Sequence, residues 1–104
     1  MSVTSKLKEP LVDKLFEAVL LLQNDEECYR FFEDICTVAE LKSMAQRLEV
    51  AKMLEENRTY GEIAEKTGAS TATISRVKRA LNYGADGYKL VFERLMIKAN
   101  SRKK

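Results

Sequence analysis

Residues Tyr60 to Arg79 read YGEIAEKTGASTATISRVKR, and this stretch decides the fold. Two short helices that cross steeply through a tight turn need particular residues at particular offsets. Ile63 is placed to enter a core from the first helix, and Ala64 is small where the second helix crosses close by. Gly68 stands where the chain must turn through a left-handed conformation that a side chain penalises. Thr73 and Ile74 follow soon after, and Ile74 and Val77 anchor the second helix. Both helices carry start signals, since Thr59-Tyr60-Gly61-Glu62 forms a capping-box pattern and Ser70 is a favoured cap residue. These offsets predict a helix-turn-helix over residues 59–82.

The second helix of the pair has the composition of a DNA reader. Thr71, Ala72, Ser75, Arg76 and Arg79 fall opposite Ile74 and Val77, with small side chains at the N-terminal end that approaches base edges. Ser70, Thr73 and Lys78 complete the candidate DNA-binding set. Arg76, Lys78 and Arg79 have the reach for phosphates or a guanine edge. The charge distribution points the same way. Residues 1–57 carry 7 basic and 12 acidic side chains, whereas residues 58–104 carry 11 basic and 4 acidic ones. An anionic partner therefore belongs to the C-terminal part of the chain.

Helix signals continue outward from this motif. A first helix is expected from Glu9-Pro10 to about Gln23, because proline is tolerated in a first turn. Its apolar residues, Leu11, Val12, Leu15, Phe16, Val19, Leu20, Leu21 and Leu22, occupy more than one face. Asn24 or Asp25 caps a second helix with an acidic first turn, presenting Cys28, Phe31, Phe32 and Ile35. A third opens at the capping-box pattern Thr37 to Glu40 and carries the stripe Leu41, Met44, Ala45, Leu48, Ala51 and Leu54. After the helix-turn-helix, which ends at Gly84 with Ile74, Val77 and Leu81 buried, Asp86 caps a last helix over 86–99. That helix holds Leu90, Val91, Leu95 and Met96, and residues 100–104 form a frayed basic tail. The expectation is one all-α domain of about six helices over 1–104, with residues 9–57 serving dimerisation.

Composition excludes much else. The 104 residues suit a single domain, and with 45% apolar and 33% charged residues the chain reads as globular. It contains no histidine, so an imidazole base, a Ser-His-Asp triad and a Cys/His zinc site are all impossible. No catalytic or metal-ligating residue is assigned. Cys28 and Cys36 lie eight residues apart, roughly 12 Å along one helix, too far for a disulfide. With no signal peptide and no apolar run near the length of a membrane span, the chain is expected in the cytoplasm, away from membranes.

The stretch Gly68-Ala69-Ser70-Thr71-Ala72-Thr73-Ile74-Ser75-Arg76 is similar to the turn and recognition helix of the tryptophan-repressor-like family. The resemblance runs from about Leu11 to Leu95, and the chain resembles the branch of small bacterial proteins of the YerC/YecD type. It implies an intertwined all-helical homodimer whose N-terminal helices interlock while two reading heads bind an operator with two-fold related half-sites. It also implies a corepressor pocket, with Arg76 matching an arginine that holds the tryptophan carboxylate and Arg47 matching a second one across a one-residue gap. Val77 stands where the family has the glycine that leaves room for the indole, and Ala80 where it has a serine. Arg47, Arg76, Val77 and Ala80 are the effector-pocket positions, and Val77 argues against a tryptophan cofactor. The reading from another class is a protein interaction module whose helical shell docks onto a second regulator without reading DNA.

Overall fold

The computed structural model describes residues 5–102. Six helices and no strand occur among them: α1 Pro10–Val19, α2 Asp25–Ile35, α3 Val38–Glu55, α4 Tyr60–Thr67, α5 Thr71–Tyr83 and α6 Gly87–Arg102. The fold is all-α, with the helix-turn-helix at α4 and α5. The chain divides into two compact units, Met1–Val38 and Ala39–Lys104.

In the first unit α1 begins with Pro10 in its first turn, and Lys8 pairs with Asp13 at 2.7 Å. The helix stops at Val19, four residues before the expected Gln23. The amides of Leu21 and Leu22 bond back to the carbonyls of Ala18 and Val19, a tighter winding that closes the helix. Gln23 is taken by the next helix, its N–H donating to Glu27 Oε1 at 2.9 Å. Asn24 caps α2 by accepting from the Glu27 N–H, and Phe31 and Phe32 meet edge to face at 5.4 Å between centroids. No residue of α1 or α2 is buried, and Leu11, Phe16, Leu20, Leu21 and Ile35 are exposed.

The second unit holds the core: Val50, Ala51 and Met53 of α3, Ile63 of α4, Ala69 of the turn, and Ile74, Val77 and Leu81 of α5. Leu54, Tyr60, Ala64, Tyr88 and Phe92 pack around it. The stripe expected on α3 needs correction. Val50 and Met53 enter the core although they lie off that stripe, while Met44 and Leu48 remain 39% and 42% exposed. At 3.6 residues per turn Leu48 and Val50 point in nearly opposite directions, so the C-terminal half of α3 is apolar on two faces and α4 and α5 cover one of them. On α6 the residues that reach the core are Tyr88 and Phe92, stacked at 6.2 Å, and not Leu90, Val91, Leu95 or Met96, which are exposed. The helix also continues through Asn100 and Ser101 to Arg102, beyond its expected end, since no glycine or proline follows to stop it. Lys103 and Lys104 of the expected frayed tail lie outside the described residues.

Candidate nucleic-acid interface

The helix-turn-helix is held by capping interactions of its own sequence. Thr59 Oγ1 accepts from the Glu62 N–H at 3.1 Å while Glu62 Oε1 accepts from the Thr59 N–H at 2.9 Å, so two orphan donors of α4 are satisfied reciprocally. The bond from the Thr59 N–H holds the Glu62 carboxyl below its ordinary pKa, and the charge of Arg58, 3.6 Å away, acts in the same direction. At the other end of α4, Gly68 adopts φ +75°, the left-handed conformation its position requires. Its N–H donates to the Ala64 carbonyl at 2.9 Å. Thr67 Oγ1 donates to the Ile63 carbonyl and accepts from the Ala69 N–H, and Gln46 Nε2 of α3 donates to the Thr67 carbonyl at 3.1 Å. The turn is thereby bonded on both sides before α5 begins.

Ser70 caps α5, its Oγ accepting from the Thr73 N–H at 3.1 Å and donating to Thr73 Oγ1. From there α5 divides cleanly by face. Ile74, Val77 and Leu81 are buried, whereas Ser70, Thr71, Ala72, Ser75, Arg76, Lys78 and Arg79 are exposed. Thr73 is half-buried and engaged in the cap, which leaves its neighbours as the outward part of the expected set. Among the described residues, Arg76, Lys78 and Arg79 make no ion pair; Lys78 Nζ instead stands 5.9 Å from the centre of the Tyr60 ring. The result is an exposed, cationic helix with short hydroxyls at its tip, fixed by three apolar anchors. At α5's far end Gly84 accommodates close approach of the backbone, since a Cβ there would run into the Ala80 carbonyl.

The four effector-pocket positions differ in their surroundings. Val77 is 1% exposed and is part of the core. Arg47 is half-buried and donates from Nη1 to Ser43 Oγ, one turn back on its own helix, at 2.9 Å. Arg76 is exposed. Ala80 lines an apolar hollow of about 400 Å³ with Leu48, Ala85, Gly87, Tyr88 and Val91. No cluster of three or more acidic or cysteine side chains placed to hold a metal occurs among the described residues, and no helix among them is long and apolar enough to cross a membrane.

Sequence reasoning missed a second feature of this unit. Leu54, Glu55, Asn57, Arg58, Tyr60, Lys78, Leu81, Asn82 and Lys89 line an open cleft of about 520 Å³. Asn57 takes φ +62° at the end of α3, and the bonds from the Arg58 N–H to the Met53 carbonyl and from the Asn57 N–H to that of Leu54 close the helix and set Arg58 at the cleft. Lys78 and Asn82, one turn apart, were a local signal. Lys89 had none, because it comes from a different helix.

The comparisons with known proteins agree with this architecture. Residues 11–96 match the model of the Trp repressor protein family. The uncharacterised protein YerC of Bacillus subtilis strain 168 is 58% identical over 90 residues, covering 86% of each chain. A TrpR-like protein from Eubacterium eligens superposes with a TM-score of 0.84 at 66% identity, over 86% of this chain and 93% of that one. A Trp repressor candidate from Staphylococcus aureus gives a TM-score of 0.84 at 53% identity, over 88% and 92%. With its six helices, its capped helix-turn-helix and a match spanning most of its length, the chain belongs to the Trp repressor family, a family of DNA-binding transcriptional regulators.

Proposed function

We propose that this protein is a sequence-specific transcriptional repressor that binds operator DNA as a homodimer in the cytoplasm and has no catalytic activity of its own. The observation that carries the reading is the division of α5: three buried anchors on one side, and on the other an exposed face of Thr71, Ala72, Ser75, Arg76 and Arg79 in which neither arginine has an acidic partner among the described residues. Short polar groups at a helix tip suit base edges, and unpaired cations along the shaft suit phosphates. Ser70, Thr73 and Lys78 complete the interface, with the hydroxyls of Ser70 and Thr73 shaping the helix tip through their mutual bond.

The dimer is supported by what a single copy leaves uncovered. Leu11, Phe16, Leu20, Leu21, Leu48, Leu95 and Met96 all stay exposed, more apolar surface than a soluble monomer commonly shows. Residues 9–57 are assigned to dimerisation, residues 59–82 to DNA reading, and the whole of 1–104 to one functional domain. A symmetric dimer presents the same helix twice, so its operator has two-fold related half-sites with centres roughly 34 Å apart, about one turn of DNA.

Selection of bound duplexes from a random pool tests the proposal. A palindromic consensus is expected, with affinity that falls steeply as salt rises. Arg79→Ala lowers the salt slope by about one if Arg79 contacts a phosphate, or relaxes one base position if it contacts guanine. Enrichment of no sequence, together with salt-independent capture of another protein, would favour the docking module instead.

A further inference from the structure

The cleft beside α5 is cationic in a way that core packing does not explain. It brings Arg58, Lys78 and Lys89 together from three separate segments, against the single carboxylate of Glu55. Among the described residues neither Lys78 nor Lys89 forms an ion pair, and Arg58 makes only loose, exposed ones, at 3.6 Å to Glu62 and 4.0 Å to Glu56. Like charges on one small surface repel one another, and with Lys78 and Lys89 lacking an acidic partner among the described residues, that repulsion is left for a ligand to relieve. The rest of the lining suits an organic molecule. Leu54, Leu81 and Tyr60 supply an apolar floor, while Asn57 and Asn82 supply amides able to donate or accept. At about 520 Å³ the cleft falls within the usual size of a small-molecule site.

We infer that this cleft is a binding site for a small phosphate monoester. The net charge of its lining matches the near-dianionic state of such a group at neutral pH. Lys78 and Lys89 act as point charges on the phosphoryl oxygens, Arg58 offers a planar fork of donors, and the ester's organic part lies over Leu54, Leu81 and the Tyr60 ring. The site is separate from the family's corepressor position. Residues 78 and 80 are roughly 160° apart around a helix, so Lys78 and Ala80 stand on opposite flanks of α5. The flank of Ala80 is apolar, and Val77 fills the core beside it.

The test uses the full chain without DNA, so its outcome is independent of whether the helix-turn-helix reads an operator. Phenyl phosphate is titrated into labelled protein while backbone amides are followed by NMR, with sodium chloride at matched ionic strength as the reference. Saturating shifts are expected at Tyr60, Lys78, Asn82 and Lys89 with phenyl phosphate and not with chloride. Lys78→Gln combined with Lys89→Gln weakens binding on the order of tenfold with the rest of the spectrum unchanged. Shifts that chloride reproduces, that do not saturate, or that survive the double substitution would overturn the site. Should the double variant fail to fold, Lys89→Gln alone, on the exposed side of α6, gives the same comparison. Lysines that alter DNA affinity without any free phenyl phosphate binding would assign the cleft to the DNA backbone and refute this proposal.

Discussion

The side-chain amide of Gln46, in the middle of α3, donates to the backbone carbonyl of Thr67 in the last turn of α4 at 3.1 Å. This bond is part-buried and joins residues far apart in sequence, so it fixes the orientation of the helix-turn-helix relative to α3 and satisfies a carbonyl that the end of α4 leaves free. Gln46→Ala removes the donor and is expected to cost about 0.5 to 1.5 kcal/mol. Urea unfolding at fixed pH measures it; an unchanged midpoint would mean that water replaces the amide without loss.

The capping box of α4 makes stability depend on pH. Glu62 has its folded pKa lowered, chiefly by the bond from the Thr59 N–H, so its contribution is present above the unfolded carboxyl's value and is lost as pH falls through the folded one. Glu62→Gln keeps an oxygen that can accept from Thr59 but cannot titrate. Melting curves collected from neutral pH down through the carboxylate range are expected to converge for the two proteins at the acid end. The wild type should lose more stability on the way.

Operator binding is expected to be independent of tryptophan. Val77, buried to 1% exposure, occupies the core at the position where the resemblance would call for glycine, so its methyl groups take the space that a glycine would leave for an indole ring. Calorimetric titration with tryptophan should give no stoichiometric heat, and operator affinity should be equal with and without it. Val77→Gly is expected to lower stability by about 2 to 4 kcal/mol, the lost burial together with a glycine inside a helix.

The uncovered side of α3 supplies a test of the dimer. Leu48 is 42% exposed on the face opposite Val50, so a charge there is expected to disturb the proposed intersubunit contact more than the core. Sedimentation equilibrium of the wild type is expected to show a dimer, and Leu48→Glu a monomer of unchanged helix content. A wild type that stays monomeric at every concentration would remove the dimer from the proposal.

Much of this molecule was legible locally. Thr59, Glu62, Gly68 and Ser70 act through bonds to residues within four positions of themselves, so their roles followed from spacing alone. The same holds for Ile74, Val77 and Leu81, because a short helix with one apolar face has one way to bury it. The candidate DNA-reading residues follow from those anchors by helical geometry, as the opposite face of α5.

Tertiary structure decided what depends on a partner distant in sequence. Helical periodicity showed that α3 is apolar but not that Val50 and Met53, rather than Met44 and Leu48, would face α4 and α5, because both faces satisfy the same pattern and only the position of the neighbouring helices selects one. Tyr88 and Phe92 were likewise recruited to the core from a helix with several apolar directions. The end of α1 was moved because Gln23 bonds into α2. The cleft of Arg58, Lys78 and Lys89 is the clearest case: these charges are separated along the chain and become neighbours only when hydrophobic burial has packed the ends of α3 and α5 against the start of α6. Local sequence determined the helices, their caps and the exposed face of α5; long-range packing determined which apolar surfaces were consumed and which charges were brought together.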